Sequence, residues 1–109
     1  MSLEKYDAAM QACLSCAMQC ERCCSECLLE KNLDNVSRCI ALTSQCAAIT
    51  LLTARFLASE SEFIPPVCNL CIDICEACAA ECAKNYMDRC AEACQKCADE
   101  CRSLSFQFT

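Results

Sequence analysis

The chain has 109 residues, room for one ordinary domain, and 17 of them are cysteine while glycine, histidine and tryptophan are absent. Lacking histidine, it has no Ser-His-Asp triad and no Cys₂His₂ finger; lacking glycine, it has no usual residue for hairpin turns, phosphate loops or left-handed helix caps. Nine Lys+Arg against fifteen Asp+Glu give a net charge of −6, so the basic footprint of a nucleic-acid binder is missing too.

In chain order, Met1 to Asp7 is polar and carries both charge signs, with neither the basic nor the apolar region of a secretory signal. A first helix is predicted over 3–30. Lys31-Asn32-Leu33-Asp34-Asn35 is a polar turn whose Asp and Asn can act as caps, and a second helix is predicted over 34–58. Its richest apolar run, Ala47 to Ala58, is broken by Thr50, Thr53 and Arg55, short of the roughly 20 uninterrupted apolar residues that span a bilayer. The break Ser59 to Pro66 ends in two prolines, which suit a first helical turn, and a third helix is predicted over 63–84. Lys84-Asn85-Tyr86-Met87-Asp88 is the last break, with Asn85 or Asp88 as N-cap of a fourth helix over 87–104. Helices of this length on short connections predict an all-α, up-down-up-down four-helix bundle, one domain over 1–109.

The cysteines follow the helical period. At about 100° per residue, Cys13, Cys16, Cys20, Cys23, Cys24 and Cys27 fall within an arc of roughly 100°. Cys68, Cys71, Cys75, Cys78 and Cys82 span about 80°, and Cys90, Cys94, Cys97 and Cys101 roughly 60°. Charged and polar residues such as Glu26, Asp73, Glu76, Glu92 and Asp99 lie opposite. The second helix differs: Cys39 and Cys46 share a face that continues as Thr50, Thr53 and Leu57. The first and third helices repeat one another's cysteine spacing, consistent with a duplicated helical hairpin. These are amphipathic helices whose buried face is cysteine.

Packing alone does not call for so many thiols, because Ala, Val or Leu would fill the space without oxidation risk. Disulfide stapling fits poorly with an odd count and a chain free of secretory features, since thiols stay reduced in the cytoplasm. Metal binding remains. A continuous helix cannot wrap an ion; it offers sulfurs on one side, and facing helices must complete the ligand set. Buried thiolates need compensating charge, and one monovalent ion per thiolate leaves the array near neutral where a divalent ion with four thiolates leaves −2. Soft, low-coordinate Cu(I) is therefore favoured over Zn(II), at about one ion per cysteine. Two alternatives stay open at this point: a zinc or cadmium thiolate store, and a thiol-based redox protein, which requires one accessible low-pKa cysteine. No catalytic residue stands out, and the chain is read as a non-enzyme.

Cys13-Leu14-Ser15-Cys16, the run from Cys68 to Cys82 and the run from Cys90 to Cys101 resemble the bacterial four-helix-bundle copper storage proteins over nearly the whole chain. The resemblance implies a bundle that stores many Cu(I) ions along its core, a homotetrameric state and, for a chain of this kind, the cytosolic branch. Relatives carry histidines near the start of the fourth helix, whereas this chain has Tyr86-Met87-Asp88-Arg89, so their role there does not transfer. The expected partners are copper ions, with no nucleic acid and no membrane, and Met18, Leu28 and Leu29 are candidates for an exposed face that joins subunits.

One end of the bundle gathers Leu52, Phe56, Leu57, Phe63, Ile64 and Leu104, with Phe106 and Phe108, as an apolar plug. The other end is polar. Cys27, Cys82 and Cys90 run close to it, and it is the expected mouth for ions, with Met87 as a soft thioether waypoint.

Overall fold

The computed structural model describes residues 2–104 and the side chains of 4–104; Phe106 and Phe108 lie outside the described residues. A short 3₁₀ segment, Ser2–Tyr6, leads into α1 (Asp7–Cys27). A second 3₁₀ turn, Leu33–Val36, leads into α2 (Ser37–Ala58), followed by α3 (Ile64–Lys84) and α4 (Asp88–Leu104). Among the described residues no strand occurs.

Each helix packs on its neighbours in sequence, and α4 closes on α1. Sulfur pairs give the register: Cys16 meets Cys94 and Cys13 meets Cys97, while Cys23 meets Cys39 and Cys46 meets Cys75. Rising numbers on one helix meet falling numbers on the next, so every adjacent pair is antiparallel, as the short connections predict. The result is a rod 49 Å long and 19 Å wide.

Several boundaries differ from expectation: α1 begins at Asp7 rather than 3 and α2 at Ser37 rather than 34, because a 3₁₀ segment precedes each, and α4 begins at Asp88 rather than 87. Helix α1 ends at Cys27, because Leu29 and Glu30 donate to the carbonyls of Glu26 and Cys27, the tighter i−3 pattern. The α3 start is settled at Ile64, with Pro65 and Pro66 in the first turn, where their missing N–H groups leave no intrahelical bond unmade. Asn32 caps the 3₁₀ turn by accepting from the Asp34 amide at 3.1 Å, as anticipated. Asn85, by contrast, does not cap α4: its Nδ2 donates backward to the Glu81 carbonyl at 2.9 Å. Asp88 is already inside the helix.

Glycine's absence does not prevent left-handed caps. Glu60 and Tyr86 have φ of 52° and 60°. After α2, Ser61 donates to the Phe56 carbonyl and Glu60 to that of Leu57. After α3, Met87 donates to the Cys82 carbonyl at 2.9 Å and Tyr86 to that of Ala83. Both are Schellman motifs, formed by residues that carry a Cβ and so hold strain of about 1–2 kcal/mol each.

The stretch Leu33–Ala58 is long and apolar enough to cross a membrane by length and composition. In the bundle it packs against both α1 and α3. Its inner face holds the fully buried Thr43, Thr50 and Thr53, whose hydroxyls donate back to the carbonyls of Cys39, Cys46 and Ile49 at 2.7–2.8 Å.

The apolar end is built from Tyr6, Leu57, Ile64, Val67 and Leu104, all buried. Leu52 and Phe63, expected in the plug, are instead exposed at 38% and 56%, since both point away from the axis. Because Glu60 is exposed and strained at the same end, Glu60→Gly should stabilise the reduced protein by about 0.5–1 kcal/mol after glycine's extra unfolded-state entropy is subtracted. Thermal melts should rise by about 3–6 °C; an unchanged or lower melt would show that the cap carries no strain.

Candidate metal centre

All 17 cysteines are free thiols, and every one except Cys24 is buried. Their Sγ atoms form a continuous column. Cys13, Cys71, Cys97 and Cys101 make one four-sulfur group, with each ligand atom within 4.8 Å of the others. Cys16, Cys20, Cys46 and Cys94 make a second, and Cys20, Cys78, Cys90 and Cys94 a third. Two triangles complete the set: Cys16, Cys75 and Cys97 between the first two groups, and Cys23, Cys39 and Cys82 toward the polar end.

Beyond these groups, Cys68 meets Cys101 at the apolar end and Cys27 meets Cys39 and Cys23 at the polar end. Cys24 lies in the cysteine arc of α1 by phase, yet it is half-buried and belongs to none of the groups. Its position at the margin of the arc turns it toward the helix surface.

Nearest sulfurs are 3.6–4.0 Å apart, for example Cys16 to Cys46 at 3.6 Å and Cys71 to Cys97 at 4.0 Å. Tetrahedral ligation at a metal–sulfur bond of about 2.3 Å gives nearly the same sulfur spacing, so distance alone does not choose a metal. Sharing does. Cys20 and Cys94 belong to two four-sulfur groups at once, and Cys16 and Cys97 each join a group to a triangle. Separate cages cannot share corners without bridging thiolates. Four of the five groups are thus linked through shared sulfurs, and the Cys23, Cys39 and Cys82 triangle stands beside them.

Electrostatics points the same way. The buried set contains Thr43, Thr50, Thr53 and Glu81 besides apolar residues and cysteine, and no Lys or Arg. Glu81 is at the polar end, paired with Arg38 at 3.4 Å and Lys84 at 3.7 Å, and does not reach the sulfurs. With no protein cation along the axis, a thiolate there is compensated only by a neighbour's S–H or by a bound cation.

The thiols respond to this accordingly. Burial, then the negative charge of Cys39, pushes Cys23 up to about 11. Burial also raises Cys27, and contacts with Cys16 and Cys20 hold the Cys94 proton far more tightly than in water. A few sulfurs take the opposite part: donation first from Cys101 brings Cys71 down to about 5, and donation first from Cys20 lowers Cys78. Along the column some sulfurs thus hold their protons more tightly than in water and others less.

Among the described residues, the column reaches solvent at one place. Cys27 and Cys82, expected at the mouth, are wholly buried, whereas Cys23 and Cys90 are each 3% exposed. Both line a crevice between α1 and α4 beside the α3–α4 turn, and Met87 lines it too. The opening lies on the flank of the polar end, between α1 and the start of α4, while Cys27 and Cys82 are closed off from solvent. Sequence reading found Met87 and Cys90 but missed this flank.

Fold and site together define a thiol-cored four-helix bundle with a polynuclear soft-metal site along its axis. The chain belongs to the copper storage protein family, whose profile matches residues 2–106. It is 40% identical over 87 residues to the uncharacterized cysteine-rich protein YhjQ of Bacillus subtilis (strain 168), covering 79% of this chain and 81% of that one. It superposes on the Cu(I)-bound copper storage protein BsCsp3 of Bacillus subtilis with a TM-score of 0.87 at 38% identity, over 93% of this chain and 98% of that one. Against a cytosolic copper storage protein from Streptomyces lividans, described with five coppers, the TM-score is 0.90 at 29% identity, over 95% and 94% of the two chains.

The raised thiols set a pH dependence for the metal-free protein. Between about 9 and 11 the folded form keeps the Cys23 proton that the unfolded chain has lost, so stability falls as pH rises through that window. Cys71 and Cys78, lowered in the fold, oppose this only near pH 9, where the unfolded thiols still hold part of their protons, and contribute little slope toward the top of the window. Reduced protein should melt at least about 5 °C lower near the top of this window than below it; a flat profile would contradict the burial of protonated thiols.

Proposed function

We infer that this protein binds and stores many Cu(I) ions on the cysteines of its axis, in the cytosol and without a catalytic step. The observation that carries the reading is the sharing of sulfurs among groups in a core that contains no Lys or Arg. Bridging thiolates and a one-to-one charge balance suit a monovalent soft ion, and the solved relatives hold Cu(I) and several coppers.

The ligands in this reading are Cys13, Cys16, Cys20, Cys23, Cys27, Cys39, Cys46, Cys68, Cys71, Cys75, Cys78, Cys82, Cys90, Cys94, Cys97 and Cys101, with Cys24 at the margin. Met87 stands at the opening as a thioether that a Cu(I) ion passes. The Schellman bond from its amide to Cys82 ties that side chain's backbone to the cysteine helix. Self-association as a homotetramer belongs to the same reading, supported by exposed Met18, Leu28 and Leu29 on and just after α1.

Titration of the reduced protein with Cu(I) against a competing chelator should show tight uptake of about one ion per cysteine. Saturation at four or five ions, with zinc or cadmium bound as strongly, would favour a divalent store instead. Cys94→Ser removes a sulfur shared by two groups and should lose more than one ion of capacity, whereas Cys24→Ser should lose none or one. Met87→Leu should slow the first phase of loading without changing final capacity; equal rates would remove Met87 from the route.

A further inference from the structure

The crevice beside the α3–α4 turn has a volume of about 310 Å³, at the lower end of the size of small-molecule sites. It is lined by Cys23 and Cys90, the two axial cysteines with any exposure among the described residues. Its walls are charged in a particular way. Arg22 and Arg89 line it, and so do Glu26 and Asp88. No ion pair joins these four among the described residues, although opposite charges share the crevice. Arg38 and Lys84 do hold Glu81, and Arg102 holds Glu76 and Asp99, whereas no ion pair joins Arg55 or Lys96 among the described residues either; what marks the crevice is that two cations and two anions line one cavity together with Cys23 and Cys90.

We propose that this crevice is a docking site for a small zwitterionic thiol of the cysteinyl-peptide class carrying Cu(I), from which the ion passes to Cys23 and Cys90. The proposal rests on the copper storage reading above. Two guanidiniums are matched to ligand carboxylates, and two carboxylates to a ligand ammonium. The thiolate of such a ligand then lies over the two recessed sulfurs. A folded donor would have to insert a metal-carrying loop past Tyr86, which stands 88% exposed at the rim; a tripeptide-sized carrier fits the volume without doing so.

The transfer is a ligand exchange without oxidation. A two-coordinate Cu(I) bis-thiolate carrying one negative charge, with one carrier thiol docked in the crevice and the other held in solvent, exchanges both carrier thiolates for those of Cys23 and Cys90. The two cysteine protons leave on the carrier thiols, and the new bis-thiolate again carries one negative charge. Copper remains Cu(I) throughout, and atoms and charge balance without an added reductant. Cys90 lies 3.7 Å from Cys20, and Cys23 lies 3.7 Å from Cys39 and 3.8 Å from Cys82, so the ion's next partners along the column are already in place.

The test compares loading rates of reduced wild type and an Arg22→Gln/Arg89→Gln double variant from two carriers. One is Cu(I)–glutathione, which has the carboxylates and ammonium; the other is Cu(I)–2-mercaptoethanol, which has neither. The double variant should load about tenfold more slowly from glutathione and at the wild-type rate from mercaptoethanol, and raised salt should erase the difference. Unchanged rates from glutathione, or equal slowing from both carriers, would overturn the proposal. A slowing confined to transfer from a Cu(I)-loaded donor protein would also overturn it and assign the crevice to a protein partner.

A second measurement does not depend on the variant's folding. Metal-free S-methylglutathione, added to wild type, should shift the amide resonances of Gln19, Arg22 and Arg89, and absence of shifts at millimolar ligand would count against docking. Final Cu(I) capacity is recorded in every case. A normal capacity with carrier-independent rates defeats the docking proposal alone, whereas a low capacity defeats the storage reading itself.

Discussion

The structure depends on one electrostatic constraint: a column of sulfurs in a core without Lys or Arg cannot be ionised throughout. Each buried thiolate needs a positive partner close by, and along this axis the only positive partners available are protons on adjacent sulfurs or bound soft cations. Everything distinctive about the chain follows from satisfying that constraint over a length of several helical turns. Helices keep the sulfurs on one face at a rise of about 1.5 Å per residue, and four antiparallel faces bring the rows within 4 Å of one another. Polar and charged residues are pushed to the outside, where Arg102 bridges Glu76 of α3 and Asp99 of its own helix.

The two ends of the rod solve different problems with the same device. Each inter-helix turn after α2 and α3 needs a left-handed residue, and this chain supplies Glu60 and Tyr86 where glycine is the common choice. At the apolar end the strained cap leads into a proline-started α3 that seals the core with Ile64 and Val67. At the polar end the strained cap presents Tyr86 and Met87 beside the crevice that exposes Cys23 and Cys90. Backbone strain at the second turn thus falls where the sulfur column opens, while the first turn serves only to close it.

Much of this was legible in the sequence because cysteine marks the buried face so densely. The four helices, their order and the cysteine rows follow from spacing alone, and the argument for a monovalent soft ion follows from charge. What was not legible has physical causes. Cys23 and Cys24 are adjacent and both fit the arc of α1, but only packing against α2 and α4 decides that Cys23 joins the axis and Cys24 does not. Tyr86 carries no sequence sign of a left-handed cap, since its conformation is imposed by the bonds that Tyr86 and Met87 make back to Ala83 and Cys82. The flank opening depends on Gln19, Arg22 and Glu26 of α1 meeting the start of α4, an adjacency no local pattern encodes. Leu52 and Phe63 look like plug residues by composition, yet the helical phase of Leu52 and the place of Phe63 in the turn before α3 leave both exposed.

The second helix shows why a storage column is compatible with a stable bundle. It contributes Cys39 and Cys46 and otherwise faces the axis with Thr43, Thr50, Thr53 and Leu57. The threonine hydroxyls are spent on their own helix's carbonyls, so they ask nothing of the sulfurs, and among the described residues no buried side-chain oxygen or nitrogen is left unpaired. This wall limits the number of ligands but contributes methyl groups and a fully buried leucine to the core, which thiols supply poorly. The apolar plug, the Schellman turns and the Glu81 cluster likewise owe nothing to metal. Stability is therefore anchored on one helix and at both ends, and the column between them is free to exchange protons for cations without the helices having to be rebuilt at each step.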